Sequence, residues 1–218
     1  MIEYDKDAIV PPYITDYLRE IIPPSDGILA ELEEYAKENS VPIVQPETAQ
    51  LLKTLVRMKK PSRILEVGCA IGYSSILMAS ESNANITTIE CDEEMVRTAR
   101  ENIKKAGMED RIYVIEKDAK AYFETLSGKY DMIFLDGPKA HYIYMLNDCI
   151  RLLNDGGILV ADNVLYKGMT ADEEHVVKRK ITIVKRLKHF IAAQMQRPEL
   201  QAVLLPLGDG VTVAVKKG

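Results

Sequence analysis

The feature that most constrains the fold is a regular alternation of short apolar runs with amphipathic segments, beginning near residue 63. The runs of strand length are Arg63–Val67, Asn85–Glu90, Arg111–Glu116, Asp131–Leu135 and Gly157–Ala161. The segments of helical period between them are Tyr73–Ser80, Glu93–Lys105, Ala119–Leu126 and Tyr142–Leu153. Strands that alternate with helices are typical of βαβ units. We therefore predict an α/β fold with a doubly wound, Rossmann-like, mostly parallel sheet.

The segments on either side of this alternation have a different character. Residues 1–60 are predicted to form a helical cap, with helices ending near Asn39 and spanning about Glu47 to Met58. After the fifth strand we expect a helix from about Glu174 to Gln194. Two final strands, Gln201–Leu207 and Val211–Lys216, flank Gly208-Asp209-Gly210, which is typical of an antiparallel hairpin. The prediction is a single domain over 1–218, with the α/β core at 61–218.

Composition narrows the setting in which the chain works. No apolar run approaches the roughly 20 residues that a membrane helix needs, and Met1–Asp7 is too acidic for a signal peptide. Cys69, Cys91 and Cys149 form no CxxC pair, which disfavours a zinc site or a disulfide framework. We therefore expect a cytoplasmic protein without membrane association. The net charge of −5 gives no global attraction to nucleic acid, so any such binding needs a local basic patch.

A glycine loop follows the first predicted strand and precedes a helix. Gly68 and Gly72 allow backbone to approach a ligand closely, at the strand end where doubly wound folds bind ligands. Ala70 and Tyr73 occupy the second and third glycine positions of a dinucleotide motif, and no Gly-Lys-Ser/Thr follows, which excludes a P-loop. The alternative is a tight turn without a ligand.

Acidic residues follow the next two predicted strands. Glu90 suits a ribose diol, because one carboxylate can accept from two adjacent hydroxyls; alternatively it is a solvated strand end. Asp118 could accept from an adenine amino group or cap the following helix. Together with the glycine loop, these residues favour an adenosyl ligand.

Oxygen ligands follow the fourth and fifth predicted strands. Asp136 ends one strand, and Asp162 and Asn163 end the other. Because parallel strands end at one edge of a sheet, we expect Asp136, Asp162 and Asn163 to lie together at this edge, called the rim below. Carboxylate and amide oxygens suit Mg²⁺ or Mn²⁺. The alternative is that Asp162 and Asn163 simply cap a turn. Lys139, three residues beyond Asp136, could take a proton as an amine or stabilise an oxyanion as an ammonium; alternatively, it is a surface lysine in a turn.

At these residues the chain resembles the class I S-adenosylmethionine methyltransferases, specifically the metal-dependent catechol and caffeoyl-CoA O-methyltransferase group. The marks are Leu65-Glu66-Val67-Gly68 with Gly72-Tyr73-Ser74, Phe134-Leu135-Asp136 with Lys139, Ala161-Asp162-Asn163, and Leu207-Gly208-Asp209-Gly210. Cys69 departs from the threonine common in this loop. Within the group, the chain is most similar to bacterial tRNA 5-hydroxyuridine methyltransferases, in stretches that include Asp162–Gly168 and Lys178-Arg179-Lys180.

The resemblance implies a set of roles. The cofactor S-adenosylmethionine would contact Val44 (main chain), Gly68, Ser74, Glu90, Asp118, Ala119 and Asp136. Glu66 would orient its methionine end. The metal ligands would be Asp136, Asp162 and Asn163. From their positions in the sequence, we predict that Lys139 and Asp136 are the catalytic residues. The resemblance also implies a homodimer to which the N-terminal helices contribute.

A basic segment, Lys178–Lys188, lies within the predicted helix that precedes the C-terminal hairpin. Its lysines and arginines could form a solvated helix face or a ridge that binds RNA phosphates, while Val177, Ile181, Val184 and Leu187 are predicted to be buried. The first hypothesis is therefore an O-methyltransferase that converts 5-hydroxyuridine in tRNA to 5-methoxyuridine. The second is the same chemistry on a small catechol-like or acyl-thioester-linked phenol. A third is a non-catalytic module that binds an adenosyl nucleotide.

Overall fold

The computed structural model describes residues 9–172 and 174–218, so the acidic Met1–Asp7 segment lies outside the described residues. The helices are α1 (Pro12–Ile21), α2 (Gly27–Asn39), α3 (Pro46–Lys59), α4 (Tyr73–Ser80), α5 (Glu93–Lys105), α6 (Ala119–Phe123), α7 (Tyr142–Leu152) and α8 (Ile181–Gln196). The strands are β1 (Arg63–Val67), β2 (Asn85–Glu90), β3 (Ile112–Glu116), β4 (Tyr130–Leu135), β5 (Leu153–Ala161), β6 (Leu200–Leu205) and β7 (Val211–Lys216). Short 3-10 turns occupy Lys139–His141 and Lys178–Lys180.

The strands form one sheet in the order β3-β2-β1-β4-β5-β7-β6. Strands β1 to β5 run parallel, and β7 and β6 complete the sheet as an antiparallel pair. The strand order reverses between β1 and β4, which creates the crevice at which doubly wound sheets bind ligands. The predicted fold class is confirmed.

Helices cover both faces of the sheet because consecutive strand residues point to opposite sides. In β1, Ile64 joins the core on the side of α2 to α5, together with Leu52 and Ile76. Its neighbour Leu65 joins the opposite core, with Phe190 of α8. This arrangement explains why β1 is buried from Ile64 to Val67, and it places the sheet between two layers of helices.

Most element boundaries lie within one or two residues of the sequence prediction, but two in the middle of the chain differ by more. Helix α6 ends at Phe123 instead of Leu126. Strand β5 begins at Leu153 instead of Gly157, because Leu153 already pairs with Tyr130 across an irregular register. The left-handed Gly156 (φ +71°) lets the chain pass this irregularity and remain in the sheet.

The predicted C-terminal helix also begins later than expected, at Ile181. Asp172 forms a local turn with residues that precede this helix, since its carboxylate accepts from the Glu174 amide and contacts His175 Nδ1, each at 2.9 Å. The prediction that Val177 and Ile181 are buried is wrong: they are 51% and 39% exposed. Val184 and Leu187 are buried, as predicted.

Within residues 9–172 and 174–218, no helix has the combination of length and apolar character required to cross a membrane.

Candidate functional site

The carboxyl ends of the five parallel strands, β1 to β5, open into one cavity of about 850 Å³. Predicted site residues that line it are Gly68, Glu90, Asp118, Ala119, Asp136, Lys139, Asp162 and Asn163. The parallel order of the strands accounts for this convergence, because each strand delivers the residues that follow it to the same edge. Residues predicted from separate motifs therefore share one cleft.

The glycine loop lies against the end of β4. Gly68 has φ +88°, and a Cβ built on it would lie 2.6 Å from the Asp136 carbonyl oxygen. The Asp136 amide donates to the Val67 carbonyl at 2.9 Å, which joins the two strand ends directly. Only glycine fits this close approach, so its Cα hydrogens and the neighbouring backbone form one wall of the cavity.

The Glu90 carboxylate connects the end of β2 with the glycine loop. Oε2 accepts from the Ala70 amide at 3.2 Å, and Oε1 accepts from the amides of Cys91 and Asp92 at 2.8 and 3.1 Å. Glu90 is therefore held in place by backbone donors and is not a freely solvated strand end. A carboxylate has about four acceptor sites, so these three bonds leave one, on Oε2, for a ligand hydroxyl.

Asp118 forms the N-cap of α6, since its Oδ1 accepts from the Ala121 amide at 3.0 Å. The capping role weighed from the sequence is therefore present. Asp118 and Ala119 also line the cavity, so Asp118 can cap the helix and still face a ligand. The adenine contact stays a prediction.

Two carboxylates lie at the neighbouring ends of β4 and β5, Asp136 partly buried and Asp162 fully buried. Lys139 Nζ lies 2.9 Å from Asp136 Oδ1, and the Asn163 amide donates to Asp162 Oδ1 at 2.7 Å. Burial raises the pKa of Asp136, an effect that the Lys139 charge opposes. Burial and the Asp136 charge raise the pKa of Asp162 to about 7. The pair is thus an electrostatically costly arrangement that a further cation would relieve.

The donor set at this rim fits a hard divalent cation. Asp136, Asp162 and Asn163 offer two carboxylates and an amide, the oxygen ligands that Mg²⁺ prefers. In the described part of the chain, no three His, Cys, Asp or Glu side chains group as a metal site. The candidate set has only two such residues, Asp136 and Asp162. Its third ligand would be the side-chain amide oxygen of Asn163.

Three predicted cofactor residues do not line the cavity. Val44 is buried in the core, although its neighbours Ile43 and Gln45 face the cavity; this position is compatible only with the main-chain contact that was expected. Glu66 and Ser74 are also buried. Glu66 accepts from the Ser75 hydroxyl, while its Oε1 has no hydrogen-bond partner. Glu66 therefore links β1 to α4, the two elements that flank the glycine loop.

Sequence reasoning missed wall residues from the helical cap. Arg19 of α1 and Glu33 of α2 line the cavity. Arg19 is bound to Glu47 at 3.1 Å, and the Tyr73 hydroxyl donates to Glu33 at 2.6 Å. No local motif marks either residue. The sequence indicates only that Arg19 and Glu33 are charged residues of two amphipathic helices, which does not predict that they line a cavity.

The basic segment lies next to the site. Helix α8 packs against the 3-10 turn that carries Lys139. Lys180 Nζ lies 5.6 Å from the centre of the Tyr166 ring, and Arg186 lies 5.2 Å from that of Tyr144. Lys185 is exposed. The segment thus borders the rim of Asp136 and Asp162, although its first basic residues belong to a turn and not to an α-helix.

Comparisons with known proteins agree with this geometry. The O-methyltransferase family matches residues 21–217. The caffeoyl-CoA O-methyltransferase of Stellaria longipes is 29% identical, and the alignment covers 92% of this chain and 87% of that protein. The catechol O-methyltransferase of Niastella koreensis is also 29% identical, with coverage of 94% and 95%.

Solved structures show the same similarity. A Staphylococcus aureus protein, provisionally assigned as a caffeoyl-CoA O-methyltransferase, is 34% identical, with a TM-score of 0.83 and coverage of 94% of this chain and 98% of that one. The Podospora anserina methyltransferase PaMTH1, solved with bound SAH, is 27% identical, with a TM-score of 0.87 and coverage of 100% and 99%.

Proposed function

The chain belongs to the O-methyltransferase family, and we propose that it methylates a small phenol, using S-adenosylmethionine as the methyl donor. The expected acceptor is catechol-like or an acyl-thioester-linked phenol with two neighbouring oxygens. The relatives named for catechol and caffeoyl-CoA support this substrate class, and the one bound to SAH supports the donor. The observation that carries the proposal is that Gly68 and Glu90 share one cavity with Asp136, Lys139 and Asp162.

The donor would occupy the half of the cavity formed by β1, β2 and α6. Glu90, held by three backbone amides, would accept from a ribose hydroxyl through Oε2, and the Gly68 backbone would allow the methionine end to pass close to the sheet. Asp118 and Ala119 would contact the adenine. Since these groups are held by strand ends and a helix cap, the site is largely preorganised for the cofactor.

The acceptor would occupy the half formed by β4 and β5. In the transfer, the acceptor hydroxyl loses its proton to water, its oxygen bonds to the methyl carbon, and the carbon–sulfur bond breaks. The sulfur keeps the electron pair, and S-adenosylhomocysteine leaves. Asp136, Asp162 and Asn163 would hold a divalent cation, which supplies the Lewis acidity that favours ionisation of a bound hydroxyl. Lys139, kept at the rim by Asp136, would stabilise the charge on the acceptor oxygen through its ammonium group.

A second candidate acceptor is 5-hydroxyuridine in tRNA. Its 5-hydroxyl and 4-carbonyl form a two-oxygen pair like that of a catechol. The observation that favours it is the basic segment beside the catalytic rim, where Lys185 is exposed and Arg186 lies against Tyr144. Such a surface could bind phosphates. The relatives from Stellaria longipes and Niastella koreensis are named for caffeoyl-CoA and catechol, so this candidate is second.

One assay separates the candidates. Purified protein receives labelled S-adenosylmethionine with catechol, caffeoyl-CoA, tRNA that contains 5-hydroxyuridine, or tRNA that lacks it. The phenol proposal predicts label in a phenol and in neither tRNA. Label only in the hydroxylated tRNA would replace the proposal with the second candidate. Absence of label from every acceptor, with intact S-adenosylmethionine binding, would favour a module that binds the cofactor without catalysis.

We also propose that the protein is a cytoplasmic homodimer. Helix α1 supports the dimer, because its apolar residues Tyr17 and Ile21 lie one turn apart and are 60% and 55% exposed. Burying such an apolar face against a second copy would be favourable. Light scattering after size exclusion should give twice the 24.5 kDa chain mass, and a monomer would contradict the proposal.

A further inference from the structure

The loop that carries Asp162 and Asn163 is attached to the turn between β6 and β7. The Val164 amide donates to the Gly210 carbonyl at 2.9 Å, and the Leu165 amide donates to the Asp209 carbonyl at 3.0 Å. The Asp209 side chain adds a third bond, since its Oδ1 accepts from the Lys167 amide at 2.5 Å. The turn therefore holds the loop through donors spread over four residues.

The loop needs such support because its backbone is strained. Asn163, Tyr166 and Lys167 have φ values of +56°, +49° and +56°, in the left-handed region that residues with a Cβ rarely adopt. A conformation of this kind persists only where surrounding contacts over-determine it. The Asp209 carboxylate binds the amide of Lys167, one of the strained residues, and so acts at the far end of the loop.

The turn itself is fixed by the rest of the fold. A Cβ on Gly210 would lie 2.4 Å from the Leu165 side chain, so turn and loop are packed together without a gap. On its other side, a Cβ on Gly208 would lie 3.0 Å from Thr48 Oγ1 in α3. Asp209 thus stands between a rigid helix and the strained loop, at a distance of 42 residues in sequence from Lys167.

We propose that Asp209 is a positioning residue, which fixes the Asp162–Gly168 loop through the Lys167 amide and thereby places Asp162 and Asn163 for the reaction. The role depends on a hydrogen-bond acceptor at Oδ1 and does not require a negative charge. This inference rests on the proposed function for its consequence in catalysis. Its structural part, the attachment of the loop, holds or fails independently of the substrate.

The test compares Asp209→Ala, which removes the acceptor, with Asp209→Asn, which keeps an oxygen at the same place. Asp131→Ala is the matched control, because Asp131 also accepts from two backbone amides, those of Ser62 and Arg63, at 2.8 and 3.1 Å. Asp131 lies at the amino-terminal end of β4, away from the cavity. Three measurements are made on each protein: hydrogen exchange at the Lys167 amide, S-adenosylmethionine affinity by calorimetry, and kcat with catechol.

Asp209→Ala should exchange the Lys167 amide faster and lower kcat by about tenfold or more, with unchanged cofactor affinity. Asp209→Asn should restore slow exchange and most of kcat, and Asp131→Ala should lower thermal stability without a selective loss of kcat. Equal exchange in all three variants would overturn the proposal, as would an Asn variant as impaired as the Ala variant. If the wild-type protein methylates no phenol, the proposed function fails, while the exchange data still decide whether Asp209 holds the loop.

Discussion

Lys139 Nζ lies 2.9 Å from Asp136 Oδ1, so a lysine from the 3-10 turn after β4 is held at the end of that same strand. Both side chains are mostly shielded from solvent, with 21% and 18% exposed. The ion pair places a positive charge beside the Asp136 and Asp162 carboxylates before any substrate binds. A preorganised charge of this kind contributes most when negative charge develops in the transition state.

Replacing Lys139 should therefore impair the chemical step more than cofactor binding. In Lys139→Ala we expect kcat to fall by about a hundredfold or more, with little change in the dissociation constant for S-adenosylmethionine. Steady-state kinetics and calorimetry measure the two quantities. Lys129→Ala is the control, since Lys129 donates to the Arg151 carbonyl far from the cavity. An unchanged kcat in Lys139→Ala would reduce Lys139 to a structural partner of Asp136.

Removal of divalent metal should abolish turnover. Dialysis against a chelator is expected to eliminate methyl transfer, and added Mg²⁺ or Mn²⁺ should restore it, because Asp136, Asp162 and Asn163 form a set of hard oxygen ligands. Asp162→Asn should require more metal for half-maximal rate, since it loses one carboxylate. Turnover at the full rate in metal-free buffer would contradict a catalytic metal at this rim.

Loss of the Glu90 carboxylate should weaken the cofactor. In Glu90→Ala we expect S-adenosylmethionine affinity to fall by about 1–3 kcal/mol through a lost charge-assisted hydrogen bond. Glu116→Ala is a matched control, because Glu116 pairs with Glu90 in register at the end of the neighbouring strand and does not line the cavity. Calorimetry that gives equal affinities for the two variants would exclude Glu90 as the ribose ligand.

Charge reversal on α8 distinguishes the two acceptor classes. If the acceptor is a phenol, Lys185→Glu with Arg186→Glu should leave KM for catechol unchanged. If it is tRNA, the same protein should show a higher KM and a salt dependence that is weaker by about one unit of slope for each lost phosphate contact. Lys104→Glu with Lys105→Glu, at the exposed end of α5, controls for net charge. Equal effects of both double variants would rule out a specific role for α8.

Neutralising Glu66 should stabilise the protein at neutral pH. Burial raises the pKa of Glu66, so the folded protein binds this proton more tightly than the unfolded chain does. The contribution of this bound proton to the stability of the fold is complete at low pH and is lost as the pH rises through the folded-state pKa. The melting temperature of Glu66→Gln without cofactor should therefore exceed that of the wild type increasingly from pH 5 to pH 8. Exposed Glu109→Gln is the control, and a constant difference across pH would refute the prediction.

Much of the fold follows from local pattern. The bounds of β1 and β2, Arg63–Val67 and Asn85–Glu90, agree with the prediction because apolar runs between breakers mark buried strands. The convergence of Asp136 and Asp162 also follows, since parallel strands end at one edge. The prediction was wrong where side chains compete with the helix: the turn at Asp172 delays α8 to Ile181, and no periodicity reveals that competition.

The sequence by itself thus determined the sheet, the glycine loop and the polar residues that follow each strand, all of which depend on neighbouring positions. Only the tertiary structure decided what closes and supports the site. Glu33 reaches Tyr73 over 40 residues and Asp209 reaches Lys167 over 42. Such contacts form because helices and turns pack on a completed sheet, and their energy depends on burial and distance in three dimensions, which no local spacing encodes.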